Sequence, residues 1–157
     1  MNTVKKLTLL TLTVLSIASC KKDKTTTTTT TAKTKTQLLT QKSWKLTNVR
    51  YKIDNGAWVD AYATVQSCAK DNILNYLTTS AYNVDEGATK CNTTDPQTLI
   101  SGTWAFQNSE TQLALTNTTF GTQVQSLLTL DENTLKSTET GSIGGGSTQT
   151  NEYTYGH

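Results

Sequence analysis

Three cysteines, Cys20, Cys68 and Cys91, and a single histidine, His157, are the residues of this 157-residue chain with the widest chemical repertoire. A cysteine can be a nucleophile, a metal ligand, a redox partner or an attachment point, and its neighbours decide which. No Cys-X-X-Cys pair and no cluster of cysteine with histidine occurs, so neither a zinc site nor a dithiol redox centre is supported. The commonest catalytic base has one copy, with no nucleophile motif around it. Asp54, Asp60, Asp71, Asp85 and Glu86 fall mostly in or beside turn-like stretches, where carboxylates bond locally to the backbone. Asp85 and Glu86 cannot act as a catalytic pair from a strand, because adjacent strand residues face opposite sides. The glycine-rich "GSIGGGS", Gly141 to Ser147, lacks the lysine and the following helix of a phosphate-binding loop and reads as a hairpin loop. The expectation is a non-enzyme with no catalytic residue, no metal and no cofactor.

The elements that place Cys20 come first in the chain. Lys5 and Lys6 precede an apolar run, "LTLLTLTVLSIA", that ends in small residues before Cys20. This is the layout of a secretory signal, and the run is too short for a permanent span of a bilayer about 30 Å thick. The junction Ile17-Ala18-Ser19-Cys20 resembles the lipobox of bacterial lipoproteins. That resemblance implies cleavage before Cys20, alkylation of its thiol by diacylglycerol, and acylation of the new amine by a chain such as palmitate. Each buried methylene adds about 0.8 kcal/mol, so several chains together make a firm anchor. An ordinary cleaved leader with an incidental cysteine, or an uncleaved anchor, is the alternative. Parity favours lipidation: an odd count in a secreted chain leaves one cysteine to explain, and modifying Cys20 leaves an even pair.

From Lys21 to Thr36 the chain reads "KKDKTTTTTTTAKTKT", with no large apolar side chain to offset the entropy of folding. It is expected to be a disordered spacer reaching at most about 55 Å. Without Lys5 and Lys6 the 14 basic residues fall to match the 12 acidic ones, and the lysines sit in the tail without interleaved aromatics. Nucleic-acid binding therefore has little electrostatic support. The domains expected are a signal peptide over residues 1–19, a lipidated cysteine and tether over 20–37, and one folded domain over 38–157.

In the folded part, short apolar alternations are broken by turn residues and no 3.6-residue period persists. Trp44 and Leu46 alternate, then Val49, Tyr51 and Ile53 alternate on a shifted phase, which predicts a bulge or bend near Thr47 and Asn48. Asn55-Gly56 predicts a hairpin turn with positive φ at both positions, and Trp58 with Val59 to Val65 is expected to run back. Further strands are predicted over 73–79, 81–86, 103–107, 112–117, 123–130, 134–140 and 152–155. Eight or nine short strands with tight connections predict an all-β domain, an up-and-down antiparallel β-barrel, with an open β-sandwich as competitor. Cys68 and Cys91 flank one of these hairpins, and in an oxidising compartment they are expected to form a disulfide stabilising by about 3 kcal/mol.

Several short motifs then fall into line: "SWKLTNV" at Ser43 to Val49, Cys68-Ala69-Lys70-Asp71-Asn72 before an apolar strand, Cys91, and "GTWAF" at Gly102 to Phe106 followed by "TQLAL". Together with the lipobox they resemble the lipocalin-like lipoproteins of Gram-negative bacteria, small β-barrels behind a lipid anchor. Those proteins typically begin Gly-x-Trp; Gly102-Thr103-Trp104 keeps that pattern, whereas Lys42 stands at the glycine position before Trp44. The resemblance implies that Trp44 closes one end of a barrel and that Trp104 points inward. Trp44, Leu46, Trp104, Phe106, Leu113 and Leu115 are the interior candidates, whether as ligand contacts or as plain core.

A folded part of roughly 120 residues buries about two thirds of its unfolded surface, leaving room for a small or half-open pocket. Two functions remain. One is a binding module tethered to the envelope, in the outer membrane of a Gram-negative bacterium, holding a small apolar or amphipathic ligand. The other is a structural or accessory protein whose barrel is filled and whose Thr-, Asn- and Gln-rich outer face meets a protein or glycan partner.

Overall fold

The computed structural model describes residues 32–157; the expected signal peptide, Cys20 and the threonine run to Thr31 lie outside the described residues. The described chain forms helix α1 (Lys35–Thr40), then strands β1 (Trp44–Ile53) and β2 (Val59–Asp60). A 3-10 turn (Tyr62–Thr64) and the one-turn helix α2 (Ser67–Lys70) follow, then strands β3 (Ile73–Tyr76), β4 (Ala81–Asp85), β5 (Thr98–Gln107) and β6 (Gln112–Asn117). Strands β7 (Gly121–Leu130), β8 (Leu135–Gly144) and β9 (Ser147–Gly156) complete it. All neighbours pair antiparallel in the order β1-β3-β4-β5-β6-β7-β8-β9, and β9 pairs back onto β1, with β2 added beside β1. The fold is thus a closed eight-stranded antiparallel β-barrel, and the sandwich alternative falls away.

The phase change in β1 is real: pairing to β9 shifts register between Leu46 and Asn48, so Trp44 and Leu46 share the inner face with Val49 despite the odd spacing. Several expected boundaries need correction. The helix α1 starts at Lys35, ahead of the boundary expected at Leu38, because Thr34 and Gln37 form a reciprocal capping box. The return strand after Asn55-Gly56 is only Val59–Asp60, and the left-handed residue of that turn is Asp54 (φ 48°). Its carboxylate accepts from the Thr148 backbone N–H at 2.8 Å, tying the β1–β2 turn to β9 instead of to a long return strand. The glycine-rich segment is mostly strand: Gly144 pairs with Ser147, leaving Gly145 and Gly146 (φ 62° and 83°) as a two-residue turn that needs positive φ twice.

One end of the barrel is plugged. Leu39 of α1 is fully buried, and its carbonyl accepts the indole N–H of Trp44, also fully buried, at 2.9 Å. Around them Leu74, Tyr76, Tyr82, Trp104, Leu113, Leu115 and Leu135 complete the core. Trp104 donates to the Leu77 carbonyl at 3.0 Å and meets Tyr76 and Phe106 edge-on, so its polar atom is satisfied while its ring fills the middle. At Gly102 a Cβ would sit 2.1 Å from the Thr116 carbonyl oxygen and 2.8 Å from Tyr82 Cε1; only glycine lets the Tyr82 ring lie across the strand there. Polar ties from α1 to the hairpin turns, Lys35 to the Glu110 carbonyl and Gln41 to the Glu132 carbonyl, hold the plug in place.

Candidate functional site

At the opposite end the strands part. Ladder pairing between β7 and β8 covers Ser126–Leu130 against Leu135–Thr138, leaving Gly121–Gln125 and Glu139–Gly144 unpaired with each other. A second gap opens where β1 pairs with β3 only at Trp44 and Lys45. That gap is covered: Ala61 N–H donates to the Val49 carbonyl at 3.0 Å, and the Tyr62 hydroxyl donates to the Leu46 carbonyl at 3.2 Å. The parting has a chemical cause. Inward positions near the plug are apolar, but toward the open end they become Gln123, Glu139, Gln149 and Asn151, whose polar groups prefer water to mutual burial.

The result is a polar cavity of about 310 Å³ lined by Gln123, Glu139, Gly141, Ser142, Ile143, Gln149, Asn151 and Tyr153. An apolar cavity of about 190 Å³ is lined by Trp44, Leu46, Ala69, Asn72, Leu74, Val84, Tyr153 and Tyr155. Tyr153 lines both. Its ring and that of Tyr155 lie stacked on the inner face of β9, centroids 6.4 Å apart. Burial raises the pKa of each phenol, and the negative charge of Glu139 raises both further. Both phenols are therefore neutral hydrogen-bonding groups at ordinary pH.

Strand alternation delivers these residues: Leu135, Ser137, Glu139 and Gly141 of β8 face Tyr155, Tyr153, Asn151 and Gln149 of β9 in register. Between the two chemistries lies a buried polar floor, where the Ser137 hydroxyl donates to Gln125 Oε1 at 2.9 Å. On the outer face of the same strands, Glu152 is buried beneath Arg50 and Lys136, with Arg50 Nε and Nη2 donating to its two oxygens at 2.9 and 3.1 Å. Burial opposes its ionisation, but the Arg50 hydrogen bonds and the two cations outweigh that and hold its pKa below the usual value. Arg50 also stacks over Trp58 at 4.5 Å, so this cation is engaged outside the barrel.

The residues singled out from sequence divide between those that line the apolar cavity and those that only fill the core. Trp44 and Leu46 line the apolar cavity, whereas Trp104, Phe106, Leu113 and Leu115 belong to the packed core and its border and line neither cavity. Cys68 and Cys91 are disulfide-bonded, with Cα atoms 5.1 Å apart. The bridge joins α2 to the long connection after β4. It fixes the segment that brings Ala69 and Asn72 to the apolar cavity. Nearby, the Asn72 amide, turned with its nitrogen toward the buried Glu86 carboxylate, donates to it at 3.0 Å and to the Cys68 carbonyl at 3.1 Å.

Sequence reasoning passed over Glu139, Gln149, Asn151, Tyr153 and Tyr155. For the four on β9 the signal was the alternation of large inward residues with threonines and glutamate in "TQTNEYTY", which is strand periodicity without an apolar face. Among the described residues no group of three or more His, Cys, Asp or Glu is placed to hold a metal ion, and no helix is long and apolar enough to cross a membrane. No protein-family model and no curated protein sequence matches the chain.

Proposed function

We propose that this chain is a lipid-anchored lipoprotein of a Gram-negative cell envelope, held in the outer membrane through Cys20. In this reading its lipocalin-like barrel binds a small amphipathic ligand at the open end and performs no catalysis. The observation that carries the binding reading is the cavity itself: about 310 Å³ is at the lower end of the ligand-pocket range, roughly 300 to 1,000 Å³, and it adjoins an apolar recess through Tyr153. A ligand with a polar head and a short apolar body matches that sequence of surfaces. Support for the anchor comes from the leader pattern and from cysteine parity, since the Cys68–Cys91 bridge accounts for two of the three cysteines.

The competing accessory role rests on the packed half, where Leu39 of α1 and eight large side chains beneath it fill the barrel. A neutral solvatochromic amphiphile, N-phenyl-1-naphthylamine, separates the two. The binding reading expects saturable fluorescence enhancement at one probe per chain, reversed by 1-octanol. Absence of saturable binding would leave the accessory role. For the anchor, Cys20→Ser is expected to abolish incorporation of labelled palmitate and to shift the protein from membrane pellet to supernatant. Retention of both label and pelleting would overturn the anchor.

A further inference from the structure

Glu139 stands out within the cavity. It is half-buried on the inner face of β8, lines the polar cavity beside Tyr153, and takes part in no ion pair or side-chain hydrogen bond among the described residues. No lysine or arginine lines either cavity. On the outer face, Arg50 and Lys136 are committed to Glu152, and Lys52 lies over Trp58 at 5.2 Å. An unpaired carboxylate against low-dielectric walls focuses a negative potential in the mouth. Tyr153, an aromatic ring of the kind whose face attracts cations, lines the same cavity.

We infer that the ligand is a cationic amphiphile, an amine whose ammonium group lies between the Glu139 carboxylate and the Tyr153 ring while its apolar body enters the recess formed by Trp44, Leu46 and Tyr155. This assignment rests on the amphiphile reading proposed above and narrows it to one charge class. Gln123 and Gln149 around the mouth offer amide oxygens as acceptors for the remaining ammonium hydrogens, while Asn151 Oδ1 already accepts from Gln149 Nε2 at 2.7 Å. An anionic head would meet Glu139 with no compensating cation, so the site discriminates by repulsion as well as attraction.

The test uses three probes of equal chain length on the full chain by isothermal titration calorimetry: octylammonium, 1-octanol and octanoate. Octylammonium is expected to bind about tenfold more tightly than 1-octanol, the size of a partly screened single charge contact. Octanoate is expected to bind more weakly than either, and the preference should shrink with added salt. Glu139→Gln, nearly isosteric, is expected to remove the gap between octylammonium and 1-octanol when both are measured on the variant; circular dichroism verifies the barrel. Equal binding of the three probes, or a preference that survives Glu139→Gln, would overturn the cation assignment and leave the amphiphile reading standing. Binding of none of the three would overturn both.

Discussion

Replacing Leu39 by alanine is expected to weaken the whole barrel out of proportion to its place near the edge of the fold. A helix of six residues has no independent stability in water, where about 12 to 15 residues are needed even for good helix formers. Docking must therefore hold α1, and Leu39 is its one fully buried side chain. Truncating a fully buried leucine costs about 2 to 5 kcal/mol, the higher figure where the cavity stays open. The Trp44 indole, which donates to the Leu39 carbonyl, limits how far the helix can settle into the space. A loss of about 3 kcal/mol follows for Leu39→Ala. With a urea slope of about 1.5 kcal/mol/M, the unfolding midpoint should fall by about 2 M while the slope holds. Thr34→Ala, which removes only the cap, is expected to cost about 1 kcal/mol. Far-UV circular dichroism across a urea series reads all three proteins. A loss below about 1 kcal/mol for Leu39→Ala would show instead that α1 is an ornament on a barrel closed without it.

Two further outcomes follow from the bridge and the buried carboxylate. Reducing Cys68–Cys91, a closure across 23 residues, should cost about 3 kcal/mol and lower the Tm by roughly 10 °C, read by differential scanning calorimetry with and without reductant; a change under about 3 °C would contradict it. The folded pKa of Glu152 is held below its unfolded value, so its contribution is complete above the ordinary carboxylate range and is lost as pH falls through the folded value. The stability gap between the native chain and Glu152→Gln, about 1 kcal/mol at pH 7, should therefore close between roughly pH 5 and 3; a gap constant with pH would show that Arg50 and Lys136 do not hold this charge.

Sequence patterning reached the barrel through its plugged half. There the inner face is apolar and the outer face polar, so alternation exposes both strand and phase: β6 is found at its expected bounds, and the bulge after Leu46 shows as a phase slip. It lost the open half for the same reason. Once Gln123, Glu139, Gln149 and Asn151 face inward, both sides of a strand are polar and the period disappears, so β8 and β9 run four residues and five residues beyond their predicted inner limits. Threonine content hid α1 similarly. The pattern Thr34-Lys35-Thr36-Gln37 is a capping box, but it lies at the end of a run whose composition resembles a linker. The cavity was illegible because it is made by a failure of pairing between β7 and β8, and register is a property of two strands that neither encodes alone.

The amphiphile site proposed for this barrel runs inward from Glu139 at the open end to Trp44 beneath the plug. Nitrogen-15 NMR during titration with octylammonium tests it most directly. Binding there is expected to give saturable shifts at the backbone amides of Glu139, Asn151 and Tyr153 and at the indole N–H of Trp44, with Val124 and Leu128 on the outer face of β7 unmoved. Shifts confined to Phe120, Val124 and Leu128, or no saturable shift anywhere, would contradict it.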